Sequence, residues 1–389
     1  MMNNINAIID LGSKNLKLGF FDKEKKNIYS SEQTITDNTE ISGLENVLNI
    51  LIREAEKSLS THIDNIVVMY DSSKYYSLDF SIKKEFDHNT SIKKVYNSLI
   101  DEAHFLVSQN NFKDHIIHLV VNNIIIDENK KLTKIVEDIK IKSLIIEIKF
   151  ICLNKILLDN IFNIFKNNNL KILNLYCSSY VKTVFYLKKF NIQDHLIFID
   201  IGHKRSSSLI FNNNKFNFFK SISLGGNNIT KDISKVLNLD LDYSEDLKIK
   251  FNKLENDILY SYNKVDTINP YSEVLEKNIS IDLLKQVIEA RLDEIVELVL
   301  LPNNSIKNLN FIEKPKLVVS GGGSKLFSKN YNLSINESFP ELKFFDENTS
   351  NLCEAGLDYH QSDESSFIKT KKKAKKSGFF ENFFNIFSK

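Results

Sequence analysis

Cysteine is scarce in this chain, and the three present, Cys152, Cys177 and Cys353, show no C-x-x-C pairing. So odd and sparse a set supports neither a disulfide framework nor a zinc site, and it suits a reducing cytoplasm. Each is expected to act as a small buried hydrophobe. The opening residues, MMNNINAIIDLG, lack a basic region followed by a long apolar stretch, so no signal peptide is expected. No run approaches the roughly 20 apolar residues that a spanning helix requires. Even SLIIEIKFICLNKILL is broken by Glu147, Lys149 and Lys155. G-x-x-x-x-G-K-[ST] is absent throughout, which argues against a Walker-type NTPase.

What is present describes a folded protein of more than one domain. The chain has 389 residues, 42% apolar and 26% charged, too long for one simple core. Its net charge of +1 conceals an asymmetry. Residues 369–389 hold seven lysines and one glutamate, so this stretch carries +6 and residues 1–368 carry −5. An acidic body with a basic tail argues against a broadly DNA-binding surface.

Two strands, 5–11 and 16–21, are predicted around the turn Gly12-Ser13-Lys14-Asn15. The pattern returns 190 residues later, where Ile199-Asp200-Ile201-Gly202-His203-Lys204 matches Ile9-Asp10-Leu11-Gly12-Ser13-Lys14. Two such hairpins predict a duplicated α/β fold with similar halves facing each other. Residues 44–59 have helical spacing, with Leu44, Val47, Leu48, Leu51 and Ile52 on one face, and 65–71 reads as a buried strand. Residues 78–150, with a helix at 91–108 and two long apolar strands, read as an inserted α+β subdomain. Gly225-Gly226 leads into a helix to about 237, and 279–301 is a longer helix ended by Pro302. PKLVVSGGGSKL reads as a strand, a triple-glycine turn and a helix, and 361–377 as a polar linker.

Three glycine turns, at Gly12, Gly202 and Gly321-Gly322-Gly323, therefore follow three apolar strands. Glycine at a strand end lets the backbone approach a phosphate closely and aim N–H groups at it. Asp10 and Asp200, each two residues before a turn, are candidate Mg²⁺ holders through water. Any one Asp-x-Gly is as a rule only a tight turn, and Leu326 stands where a dinucleotide fingerprint needs its third glycine. It is the order and spacing of the three that carry the reading.

On IIDLGSKNLKLG, FIDIGHKRSSSLI and LVVSGGGSKL, which look like two phosphate motifs and an adenosine motif, the chain resembles the actin-like nucleotide-binding superfamily. Within it, the chain resembles the FtsA family of bacterial cell-division proteins over essentially its whole length. The resemblance implies a two-lobed actin-like fold with ribonuclease-H-like halves. Subdomain 1A would comprise 1–77, 151–193 and 352–360, and an FtsA-type insert 1C would comprise 78–150. Subdomain 2A would comprise 194–227 and 311–351, and 2B would comprise 228–310. It also implies ATP with Mg²⁺ as cofactors, with nucleotide contacts from Gly12, Ser13, Lys14, Gly202, His203, Lys204 and Gly321 to Gly323. Gly225, Gly226, Glu245 and Lys248 join them by similarity of SISLGGNNITKDISKVLNLDLDYSEDLKIKF to a family segment near the nucleotide. Glu245 and Lys248 equally suit a surface i,i+3 ion pair.

The second turn departs from the family pattern. His203, Lys204 and Arg205 stand where glycine and threonine are usual, and Lys14 comes one residue early. These side chains crowd a phosphate loop, while Lys204 and Arg205 offset part of that by pairing with phosphate directly. At most weak ATPase activity is expected, and no catalytic residue is assigned.

The chain closes on KTKKKAKKSGFFENFFNIFSK. On a helix over 378–389, Phe380, Phe383, Phe384 and Phe387 fall at i, i+3, i+4 and i+7, flanked by Phe379 and Ile386. About 12 residues span only about 18 Å, too short to cross a bilayer. An amphipathic aromatic face beside Lys371, Lys372, Lys373, Lys375 and Lys376 is a two-signal membrane anchor. Each lysine near an anionic leaflet contributes up to about 1 kcal/mol. Docking of the aromatic face on the body and binding of nucleic acid by the lysines are the weaker readings. The resemblance implies a peripheral protein on the cytoplasmic side of the inner membrane, at the division septum. Its partners would be itself, later division proteins, anionic lipid and the C-terminal peptide of FtsZ, docked on 228–310, with no nucleic acid. The alternatives are a PilM-like pilus-assembly scaffold and an actin-fold small-molecule kinase.

Overall fold

The structure is a computed structural model. It describes residues 6–35, 42–111, 113–132, 135, 138–192, 195–262, 274–275, 279–300, 315–327, 342–344 and 348–362. The tail anchor, residues 363–377 of the linker and most of 301–341 lie outside these residues.

The first sheet contains β1 (Asn6–Leu11), β2 (Asn15–Phe21), β3 (Asn27–Thr34), β4 (Asn65–Tyr70) and β9 (Lys171–Cys177), in the order β3-β2-β1-β4-β9. Strands β1 to β3 form an antiparallel meander, and β4 and β9 add in parallel. Helix α1 (Ser42–Leu59) crosses from β3 to β4, as a parallel connection demands.

The second sheet repeats this plan. It comprises β10 (His195–Ile201), β11 (Ser206–Asn212), β12 (Lys215–Ile222), β15 (Lys316–Ser320) and β16 (Leu342–Phe344), in the order β12-β11-β10-β15-β16. The antiparallel and parallel pairings match those of the first sheet strand for strand. Between β12 and β15 the chain forms α5 (Gly226–Leu237), α6 (Leu241–Tyr262), a two-stranded ladder of β13 (Val274–Leu275) and β14 (Ile279–Ser280), and α7 (Ile281–Leu300).

Side-chain alternation along β10 shows how the layers stack. Leu196 and Phe198 join the large core of the first half, whereas Ile197, Ile199 and Ile201 join a second core with α5 and α7. Both faces are covered, so HLIFIDI is buried at every position and reads as a continuous apolar run. The layer between the two sheets is α4 (Ser178–Lys189), which leaves β9 without a loop and packs on β9, β10 and β11.

The insert is a separate four-stranded antiparallel sheet in the order β5-β8-β6-β7, with its own core. It comprises β5 (Tyr76–Ser91), β6 (Asp114–Ile126), β7 (Lys130–Leu132), β8 (Lys140–Asn154) and α2 (Ile92–Asn110). Strand β8 runs straight into α3 (Lys155–Asn167), whose first turn is capped by the Asn154 side chain accepting from Ile156 N at 3.0 Å. The insert is tied to both halves. His118 on β6 is fully buried and accepts from Cys177 N through Nε2 at 2.9 Å. That bond leaves Nδ1 to donate to Tyr359 Oη at 3.0 Å, so the ring is neutral, and burial pushes its pKa down to about 3. Toward the second half, Asn122 makes a reciprocal pair with the backbone of Phe216, donating at 2.9 Å and accepting at 3.0 Å.

Helix α8 (Thr349–Gln361) closes the first half by lying on β1 and β2. The fit needs Gly19, because a Cβ there would sit 2.6 Å from Cys353 Cβ. Helices α3, α4, α6 and α8 are additions to the sequence-based expectations. After the triple glycine the structure forms a 3₁₀ turn over Gly322–Leu326, where a helix was expected. Gly19→Ala is expected to destabilise the chain by about 1–3 kcal/mol through overpacking against α8. A urea unfolding midpoint equal to that of the wild type would show that α8 is not seated on β2.

Candidate functional site

The two β-hairpins of the duplication end in four-residue turns built alike, 12–15 and 202–205, closed by Leu11↔Leu16 and Ile201↔Ser206 pairing. Gly202 N donates to Arg205 O at 2.8 Å, and a Cβ at Gly12 would meet Asn15 O at 2.5 Å, so the backbone is tight in both. The turns face each other across a cleft, and Lys204 N donates to Ser13 Oγ at 3.1 Å. The triple-glycine turn supplies the third side. Gly321 has φ +86° and abuts Asp200 Oδ1, and a Cβ at Gly323 would collide with Ile201. Gly322 has nothing near its Cβ position and opens to the cleft.

The cleft encloses about 450 Å³, within the range of small-ligand sites. Of the residues that the sequence singles out, Asp10, Gly12, Ser13, Lys14, Asp200, Gly202, His203, Gly226, Glu245, Lys248 and Gly321 to Gly323 all line it. Gly225 stands behind it, packed against the carbonyls of Gly202 and His203. The first N–H groups of α5 are used up there, with Gly226 N on Gly202 O at 2.9 Å and Asn227 N on His203 O at 2.7 Å.

Glu245 and Lys248 do pair, at 2.6 Å, but Lys248 is buried and the pair belongs to the cleft rather than to an outer surface. Lys248 also donates to Gly226 O at 3.0 Å and to Thr230 Oγ1 at 2.8 Å. Lys14 crosses from the opposite half to Glu245 Oε1 at 2.6 Å. Burial alone would raise the Glu245 pKa, yet hydrogen bonds from Lys14, Lys248 and Thr230 outweigh it and bring the pKa to about 2. His203 is pushed down to about 4, first by burial and then by the charges of Lys248 and Lys14, so its ring is neutral near pH 7.

Deeper in the cleft lies a charge network that sequence reasoning missed. Asp200 Oδ2 accepts from Lys182 Nζ at 2.8 Å and from Arg205 Nη2 at 2.8 Å. Arg205 also pairs with Asp71, and its Nη1 reaches Ser207 Oγ at 3.2 Å. Ser179 Oγ sits between the two acids, 2.9 Å from Asp71 and 3.0 Å from Asp200. Burial works to raise the Asp200 carboxyl, but Lys182 and then Arg205 hold it well below the usual range. Arg205 thus turns inward to carboxylates, instead of outward to phosphate as its place in the turn suggested. In the sequence, Asp71 differs little from Asp10 and Asp200, since all three follow or end buried strands, but no Asp-x-Gly marks it.

Of the two acids that the sequence assigns to Mg²⁺, Asp200 accepts from two cations through Oδ2 and Asp10 accepts from Ser178 Oγ through Oδ1, and no group of three His, Cys, Asp or Glu able to hold a metal ion directly occurs among the described residues.

Two paired sheets of identical order around a glycine-lined cleft define an actin-like ATPase fold, and comparison with solved structures agrees. The PilM–PilN type IV pilus biogenesis complex aligns with a TM-score of 0.56 at 13% identity, over 91% of this chain and 95% of that one. MreB5 of Spiroplasma citri bound to ADP aligns with a TM-score of 0.53 at 11% identity, over 94% and 99%. The same MreB5 bound to AMPPNP gives 0.50 at 11%, over 92% and 96%. Residues 197–327, which hold the second and third turns and α5 to α7, match the family model of cell division protein FtsA. The chain therefore has the actin-like fold, with its likeness to FtsA confined to residues 197–327. No curated protein matches it.

Asp10 gives a test of the site's electrostatics. It accepts from Ser178 Oγ at 2.7 Å, and burial raises its pKa from 3.8 to about 6. The folded chain therefore holds this proton more tightly than the unfolded chain does. Its unfavourable contribution grows as pH rises from about 4 to 6 and stays level above that. Asp10→Asn keeps an acceptor for Ser178 and is expected to add about 3 kcal/mol of stability near pH 7.5 and little near pH 3.5. Chemical denaturation at the two pH values checks this.

Proposed function

We propose that the chain binds ATP in the cleft between its two halves, self-associates, and tethers FtsZ filaments to the cytoplasmic membrane at the division septum. The observation that carries this reading is the convergence of three glycine turns from two duplicated sheets on one cleft edged by Lys14 and Lys248. Their ammonium groups suit phosphate oxygens. The glycines let backbone approach the ligand, with Gly322 the member of its triplet that packing does not require. Ile249, 64% exposed at the cleft, offers an apolar surface for a base. Mg²⁺ arriving with the nucleotide would be held through water by Asp10 and Asp200, and no step is assigned to it.

The match of 197–327 to the FtsA family supports a cell-division role, and the polybasic aromatic tail supports attachment to anionic lipid. No helix among the described residues is long and apolar enough to cross a membrane. Recruitment of later division proteins follows from the same family reading. A second reading, a PilM-like scaffold that binds a pilus-assembly partner, is favoured by the alignment to the PilM–PilN complex.

Co-sedimentation with vesicles containing anionic lipid, with and without FtsZ, tests both. The full chain is expected to pellet and to carry FtsZ down, and a chain lacking 378–389 to stay in the supernatant. Pelleting without the tail would refute the anchor. Failure to retain FtsZ, together with binding of PilN, would favour the pilus reading.

A further inference from the structure

Helices α4 and α8 pack side by side in the first half and leave a groove between them of about 380 Å³, large enough for bulky side chains. It shares no lining residue with the nucleotide cleft. Val181, Val184 and Phe185 of α4 face it at i, i+3 and i+4, and Ala355 and Tyr359 of α8 face it at i and i+4. All but Phe185 are buried, and Phe185 is half-buried with Lys189 Nζ 5.3 Å from its ring centre. The floor is therefore apolar.

Two observations say what covers it. The first is where the chain goes next. Helix α8 ends at Gln361, and Ala355 and Tyr359 lie within its final two turns. Residues 363–377 then separate it from the aromatic segment 378–389. A linker of that length reaches about 20 Å as a flexible coil and about 50 Å fully extended, whereas the groove begins only about 10 Å back along α8. The tether thus presents the aromatic segment at an effective concentration on the order of millimolar. Away from a bilayer, Phe380, Phe383, Phe384 and Phe387 need another apolar surface to leave water.

The second is charge. The rim carries Lys188 and Lys189 on the α4 side and Glu354 and Asp358 on the α8 side, with Asp358 also accepting from Lys25 Nζ at 2.9 Å. The segment that would approach it carries both signs as well, Glu381 among its phenylalanines and the lysines of 371–376 before them.

We propose that the groove between α4 and α8 holds the chain's own aromatic tail, 378–389, whenever that tail is off the membrane. The inference rests on the tail-anchor reading above. The same phenylalanines serve both surfaces, so docking on the body and burial in lipid exclude each other. The groove then sets a threshold for attachment, because the apparent affinity for lipid falls by the fraction of chains whose tail is undocked.

Photocrosslinking of the full chain with benzoylphenylalanine in place of Phe383 tests this. Without vesicles, crosslinks within one chain to 178–189 and 349–361 are expected by mass spectrometry, and vesicles containing anionic lipid are expected to abolish them. Crosslinks elsewhere on the body, crosslinks only between two chains, or none at all overturn the inference and leave the anchor reading standing. Groove crosslinks in a chain that no vesicle pellets would overturn the anchor reading and leave the groove contact standing. Phe185→Ala, checked for a cooperative thermal melt, is expected to lower the lipid concentration for half-maximal pelleting by about threefold or more. An unchanged midpoint would show that the groove does not restrain the tail. The crosslink map decides the main claim whatever the variant does.

Discussion

Asp71 follows a strand of one sheet and Asp200 lies within a strand of the other, and neither can be buried unless cations are buried with it. Lys182 and Arg205 meet that demand, and their positions set much else. Lys182 is one turn into α4, so α4 must lie between the sheets with its N-terminus at the cleft floor. Ser178 and Ser179 then reach Asp10, Asp71 and Asp200. Arg205 must leave its turn toward the first half, which brings the two turns within hydrogen-bonding reach at Ser13 and Lys204. Removing one partner from such a buried pair typically costs about 3–5 kcal/mol, because the other charge is left uncompensated.

The duplication gives the two halves the same strand order but different chemistry. In the first half the turn after β1 is small and polar, and its lysine reaches across to Glu245. In the second, the turn after β10 is occupied by His203, Lys204 and Arg205 and is braced from behind by Gly225 and the start of α5. Symmetry of fold therefore yields an asymmetric site, with the inward guanidinium coming from one half only.

The hairpins, the repeat and the glycine turns were legible because each is local: an apolar strand, an Asp, a Gly and a second strand within about a dozen residues. The insert was legible as a break in pattern, and its sheet extends only slightly beyond the expected 78–150. The partners of Arg205 were not legible. Asp71 lies 134 positions away in sequence, and no spacing rule links residues brought together by the packing of two sheets. Lys182 looks like any other lysine of SSYVKTVFYLKK until its burial is known. Glu245 and Lys248 were legible as a pair but not as a buried one, since i,i+3 spacing is the same on a wet face and at the wall of a cleft.

The reciprocal bond between Asn122 and Phe216, with the His118 ties to Cys177 and Tyr359, makes the insert a brace spanning both halves. A hinge with such a brace cannot open at the cleft alone. Rotation of one half away from the other must either break the Asn122 pair or drag the four-stranded sheet along with it. Strand β5 of that sheet also lies against β12 of the second half, so the placement of the insert and the width of the cleft form a single mechanical coordinate.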